Sequence, residues 1–254
     1  MNYKTLKVRI EDQICFLQIY RPEAKNSTNE EMLREFLQVL EFCEDSVTVI
    51  VIEGLPEFFC TGADFSEIHE KIKRQEKIER DPRPLYNLLL KLSTGHYITV
   101  SHVKGKANAG GIGLIAASDI VIADNTANFS LSELLFGLFP ACVLPFLIRR
   151  IGFQKANYLT ITTMPVSAQK ACEWGLVDVY EENSSSLLRK HLIRLRRLSK
   201  KGVSRYKNYM AGLYDLPVKA ESAAIKANRM IFSDPQNLDS IFNYMENGRF
   251  PWDT

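Results

Sequence analysis

Two short stretches of this sequence put very little side chain where a strand hands over to a helix. One is Thr61-Gly62-Ala63-Asp64; the other is Ala109-Gly110-Gly111-Ile112-Gly113. The first N–H groups of a helix have no carbonyl of their own helix to donate to, and the positive end of its dipole strengthens them. Two such turns aimed at one spot make a cradle for an oxyanion. A third stretch, Ser132-Glu133-Leu134-Leu135-Phe136, sets a carboxylate among apolar neighbours, a setting that suits proton transfer. On the residues alone, whether Glu133 transfers a proton stays open. The plainer alternative is a carboxylate helping its own helix start. For Asp64 that plainer alternative is the favoured reading.

A glycine-rich turn also suits phosphate. Gly111, Gly113 and Ala116 read G-x-G-x-x-A, as in a dinucleotide-binding turn. That turn belongs directly after a first strand, opens a long helix, and has an acidic residue about 20 positions on. Here it lies deep in the chain, follows the loop Lys104–Ala109, and opens a helix that ends near Ser118. The context argues against a nicotinamide site. No G-K-[ST] triplet occurs, which excludes a Walker-type loop. The four histidines (His69, His96, His102, His191) are scattered and no paired His/Cys spacing is present, so no metal site is expected.

The elements that must carry these turns follow from periodicity. Residues 5–10 and 14–20 alternate and read as a hairpin. Thr28 with Glu31 reads as a capping box ahead of Met32, Leu33, Phe36, Leu37, Leu40 and Cys43 at helical spacing. Residues 47–54 form an apolar run rich in β-branched residues, a strand buried on both faces. The segment 58–68 leads into a helix that turns strongly polar. A helix over Leu85–Leu92 and a strand over Tyr97–Val103 precede the glycines. "DIVIAD" and "ANFSL" read as strands, "SELLFG" as a helical turn, and 144–151, 154–163 and 167–174 as helices, the last capped by Ser167. "GLVDVY" adds a strand. From Ser184 the chain is nearly all helical, with Leu188, His191, Leu192, Leu195 and Leu198 on one face.

With 254 residues, 46% hydrophobic, the chain can bury a large core. A net charge of +2, from 32 basic and 30 acidic residues, gives no bulk field favouring nucleic acid or a membrane surface. Five scattered cysteines suit buried thiols in a reducing compartment. No apolar run approaches the roughly 20 residues of a membrane span, and no leader is visible. The expected location is cytoplasmic.

Three segments, "FFCTGADF", "GKANAGGIGL" and "NFSLSELLFGLFPA", resemble in order and spacing the signatures of the crotonase (enoyl-CoA hydratase/isomerase) superfamily. The resemblance spans essentially the whole chain. It implies an α/β fold: a spiral of ββα units over 1–195 and a C-terminal helical region over 196–254 that packs on the core and on an interface of a homotrimer or dimer of trimers. By motif position, the amides of Ala63 and Gly110 hold a thioester oxygen, flanked by Gly62 and Gly111, with Glu133 as acid/base. Hydratases of the family carry a second glutamate where this chain has Gly113, so one carboxylate must serve, with Asp64 the other acid nearby. His69, Tyr86, Phe136 and Leu144 are expected to shape the acyl pocket, with plain core as the alternative for Phe136.

"KANAGG", "SLSELLFGLFPACVLPFLIRRIG" and "FSDPQN" resemble one branch, the dehydratases of polyketide β-branching cassettes. That resemblance implies a 3-hydroxy-3-methylglutaryl thioester carried by phosphopantetheine on acyl carrier protein, with no other cofactor. Lys71, Lys73, Arg74 and Lys77 are candidates to meet that acidic partner. Decarboxylation or a double-bond shift on a CoA thioester, and a non-catalytic thioester-binding subunit, stay open as alternatives.

Overall fold

The computed structural model describes residues 3–74, 76 and 81–253. Leu6–Glu11 (β1) and Ile14–Ile19 (β2) form the expected antiparallel hairpin, with Leu6 opposite Ile19. The helix Glu30–Ser46 (α1) starts one residue later than a Thr28 cap requires: Asn29 is its N-cap and accepts from the Met32 amide. Thr28 is held extended instead by a parallel bridge to Ala63.

Three successive units then repeat one pattern. Val49–Glu53 (β3) and Phe58–Cys60 (β4) are followed by Phe65–Lys73 (α2) and Arg83–Thr94 (α3). Ile98–Val103 (β5) and Lys106–Asn108 (β6) are followed by Gly110–Ala117 (α4). Ile120–Ala123 (β7) and Asn128–Ser130 (β8) are followed by a 3-10 turn, Glu133–Phe136, and Leu144–Ile151 (α5). The chain continues through Phe153–Thr162 (α6), Val166–Ser167 (β9), Ala168–Glu173 (α7) and Val179–Tyr180 (β10). Ser167 caps α7, as its sequence position predicts. The tail is Ser184–Leu195 (α8), Lys200–Leu213 (α9), Leu216–Phe232 (α10) and Pro235–Asn247 (α11).

Among the described residues the strands make two sheets, ordered β1-β2-β3-β5-β7-β10 and β4-β6-β8-β9. Each unit places its first strand in the large sheet and its second in the small one, so the chain advances as a spiral of ββα turns. β3 is buried on both faces, as its continuous apolar run requires. Ile50 and Ile52 face the main core, while Val49 and Val51 face Leu187, Leu188 and Leu192 of α8.

One consequence of this winding positions the site. β4, β6 and β8 run parallel in adjacent register, Cys60 beside Ala107 and Asn108 beside Ser130. Their C-terminal ends therefore open on one edge, with neighbouring strands about 4.8 Å apart. Each of the three motifs begins within three residues of one of those ends. Stretches some 70 residues apart in sequence thus become neighbours in space.

Candidate active site

At the end of β4, the Thr28 amide donates to the Gly62 carbonyl (2.6 Å) and the Asp64 amide donates to the Thr28 carbonyl (3.0 Å). A parallel bridge of this form engages the residues on either side of Ala63, so the Ala63 N–H points away from it. At the end of β6, Gly110 is the first residue of α4. Among the described residues, neither the Ala63 nor the Gly110 amide has a protein acceptor. Both residues line a single cavity of about 1020 Å³.

The two turns touch. Gly62 has φ +94°, a region that favours glycine, and a Cβ there would lie 2.6 Å from Ala109 Cβ and 3.5 Å from the Gly110 nitrogen. Ala109 itself has φ +51°, strained for a residue with a side chain. A Cβ at Gly111 would lie 2.4 Å from the Cys60 carbonyl oxygen, so that glycine seats α4 against the end of β4. Gly62 and Gly111 thus set the spacing of the cradle from behind its surface.

Glu133 stands at the start of the 3-10 turn and lines the same cavity. Its Oε2 is wholly out of solvent and has no hydrogen-bond partner. Burial is the main cause that pushes its carboxyl up to about 7; the backbone amides of Glu133 and Ser132 pull the other way but do not cancel it. A buried carboxyl oxygen without a partner is costly to keep. Asn108, which the sequence reading did not single out, ties this turn to the amide cradle. It donates from Nδ2 to Ser132 Oγ (2.8 Å), and its Oδ1 accepts from Ser130 Oγ (2.8 Å). Nothing in the sequence marks that pairing, because β6 and β8 meet only through the sheet.

Position 113 lies behind apolar side chains. A Cβ there would be 3.1 Å from both Leu89 Cδ1 and Val143 Cγ2, so no second carboxylate fits without repacking. Asp64 lines the cavity, but its oxygens are engaged as the N-cap of α2 toward Ser66 and in an ion pair with Arg21 (2.9 Å). Burial raises its pKa, yet the Ser66 and Arg21 hydrogen bonds outweigh that and hold the carboxyl below its ordinary range. The helix start accounts for the Ser66 contact, and Arg21 holds the other oxygen.

The expected pocket residues divide. Phe136 lines the cavity and also packs edge-on against Phe65. Tyr86 does not reach it: the ring is fully buried against Phe146 and its hydroxyl donates to the Pro217 carbonyl (2.5 Å), pinning α3 to α10. Leu144 opens α5 outside the cavity wall, and the neighbouring Val143 takes the lining position. His69 lies off the wall too, bonded through Nε2 to Glu246 (2.7 Å) and packed on Phe242. Helical spacing turned Tyr86 and His69 toward other elements, a rotation that proximity in sequence does not report. Lys71, Lys73 and Arg74 are paired with Glu67, Glu246 and Glu70. Lys77 lies outside the described residues. Among the described residues, no group of three His, Cys, Asp or Glu side chains is placed to hold a metal ion.

Two amides without protein acceptors and a carboxyl with one buried oxygen line a single cavity on a spiral of ββα turns, and that winding is a crotonase-type fold. The chain belongs to the enoyl-CoA hydratase/isomerase family, whose model matches residues 9–254. It is 56% identical to the bacillaene synthase dehydratase PksH of Bacillus subtilis (strain 168), over 100% of this chain and 98% of that relative. The crystal structure of pksH from Bacillus subtilis superposes with a TM-score of 0.96, covering 98% of this chain and 100% of the other. A hydroxycinnamoyl-CoA hydratase-lyase from Pseudomonas fluorescens is 32% identical over 77% of this chain and 72% of its own length. An enoyl-CoA hydratase structure from Mycobacterium avium subsp. paratuberculosis K-10, only 20% identical, shares the fold at a TM-score of 0.86 over both whole chains.

Proposed function

We propose that this protein is a hydro-lyase that dehydrates a 3-hydroxy-3-methylglutaryl thioester to the 3-methylglutaconyl thioester during polyketide β-branching. The substrate is carried by phosphopantetheine on an acyl carrier protein, and no other cofactor takes part. The observation that carries this reading is the Glu133 Oε2 atom, buried without a partner in the cavity that also receives the free Ala63 and Gly110 amides.

In this mechanism the two amides hold the thioester oxygen, each stabilising the developing enolate by about 3 kcal/mol. The Glu133 carboxylate takes the Cα proton. The Cβ–O bond then breaks, the departing hydroxyl takes that same proton, and water leaves with Glu133 returned to its anion. One carboxylate working on one face serves both transfers, which suits a site whose position 113 is closed by Leu89 and Val143. A pKa of about 7 places Glu133 where it can both accept and return a proton near neutral pH. Full-length similarity to a protein named as a polyketide dehydratase supports loss of water over other family reactions.

Lys25 and Lys106 are exposed on the cavity wall and are better placed to meet an acidic carrier than the paired basic residues of α2. Exposed Tyr206, Tyr209, Met210 and Leu213 on α9 suit the homotrimer contact implied by the resemblance. Among the described residues, no helix is long and apolar enough to cross a membrane.

The test is mass spectrometry of 3-hydroxy-3-methylglutaryl thioesters, on carrier protein and on coenzyme A, after incubation with the enzyme. Loss of water, faster on the carrier, is expected; loss of carbon dioxide overturns the dehydratase reading. Glu133→Gln should lower kcat about 10²–10⁴-fold while circular dichroism stays native. Unchanged turnover removes Glu133 from the mechanism, and no turnover by the wild type on any thioester favours a binding subunit.

A further inference from the structure

Asn228, on α10, is only 8% exposed, lines the cavity, and makes no side-chain hydrogen bond within the protein among the described residues. Among the described residues Glu133 Oε2 is the one buried polar side-chain atom without a partner, so the Asn228 amide keeps contact with the cavity and is free to meet a ligand there. Its surroundings say which kind. The next residue, Arg229, reaches Asp81 (3.1 Å), directly before the first turn of α3. Pro82 and Leu85 from that turn line the cavity, and the Leu85 amide has no protein acceptor among the described residues. The N-terminal turn of this 12-residue helix, with its positive dipole end, and Asn228 thus line the same cavity. Asp81 lines this wall too; its hydrogen bonds to Arg83 lead the causes that hold its pKa down to about 2, and Arg229 pairs with it as well. The remaining wall here is apolar, from Phe232 and Leu85.

We infer that this end of the cavity receives the carboxylate at the far end of the acyl group, with the Asn228 side-chain N–H as its donor. The inference rests on the dehydratase reading and deepens it. It makes Asn228 the residue that separates a glutaryl-type acyl group from a 3-hydroxyacyl group with a plain alkyl end. A hydrogen bond to an ionised carboxylate discriminates because an alkyl end leaves the amide unsatisfied.

The experiment compares two pantetheine thioesters, 3-hydroxy-3-methylglutaryl and 3-hydroxy-3-methylbutanoyl, which differ only in the distal carboxylate. The readout is the ratio of their kcat/KM values, measured within one protein sample so that losses in folding cancel. The wild type should favour the carboxylate substrate. In Asn228→Leu that preference should fall about 10- to 100-fold, and Asn228→Asp, which sets a like charge against the ligand, should lower it further. Equal slowing of both substrates, no change in the ratio, or no preference in the wild type overturns the inference. A wild type that dehydrates neither thioester removes the dehydratase reading instead. Calorimetric binding of the same two thioesters to wild type and Asn228→Leu then decides the Asn228 question separately.

Discussion

Glu133 is held between two opposing effects, and the balance can be measured. Its carboxyl sits at about 7 against an ordinary 4.5 because burial outweighs the nearby amides. An acid whose folded pKa is raised makes the fold more stable while protonated. That contribution is complete below about pH 4.5 and is lost as pH rises through about 7. The cost of the anion above that window is about 3 kcal/mol. Glu133→Gln, which cannot ionise, should therefore melt above the wild type at pH 8 and close to it at pH 4.5. Thermal denaturation at the two pH values checks this; a variant no more stable at pH 8 contradicts the burial account. Activity should run the other way. Since the anion takes the Cα proton, kcat/KM should climb with pH through about 7, and a profile flat between pH 5 and 9 places the base elsewhere.

At the scale of elements, the cradle depends on how closely two turns approach. A Cβ at Gly62 meets Ala109 Cβ at 2.6 Å and adds a side chain at φ +94°. Gly62→Ala should separate the ends of β4 and β6, costing about 1–3 kcal/mol of stability and about 10²-fold in kcat as one amide leaves its position. Urea unfolding and steady-state kinetics read both, and a variant with normal kcat shows that the two turns need not touch. Much of this was legible in the sequence. The small residues at 62–63 and 110–111 and the carboxylate at 133 mark the three motifs, and the periodicity marks nearly every strand and helix. Two kinds of information were not legible. Helical rotation decides that Val143, and not Leu144, faces the cavity, while Tyr86 turns toward Pro217. Sheet adjacency decides that Asn108 reaches Ser132, which no spacing along the chain encodes.

For the molecule as a whole, the question is how the tail helices are held where they complete the cavity. Asn228 and Phe232 from α10, and Tyr244 and Met245 from α11, all lie on its wall. α9, just before them, is anchored by polar contacts at two points. Lys200 Nζ donates to the carbonyls of Val47 and His96, each at 2.7 Å. Lys207, 4% exposed, pairs with Asp119 at 2.6 Å, and the other Asp119 oxygen accepts from the Thr99 amide (2.9 Å) at the start of β5. A buried pair adds little net stability when intact, but removing one partner strands the other charge. Lys207→Met should therefore destabilise the fold by about 3 kcal/mol, the low end of the range because the Asp119 side chain keeps 27% of its surface in water. Adding Asp119→Asn should recover part of that loss, since the stranded charge is then gone. If α9 carries α10 and α11 with it, the single variant should also raise KM more than it lowers kcat, because the chemistry at Glu133 lies on the spiral and the far wall of the pocket lies on the tail. Urea unfolding of both variants alongside steady-state kinetics tests the chain of cause. A loss of stability with KM unchanged would show that α10 and α11 are fixed by their own packing on α3, α5 and α2, independently of the anchor on α9.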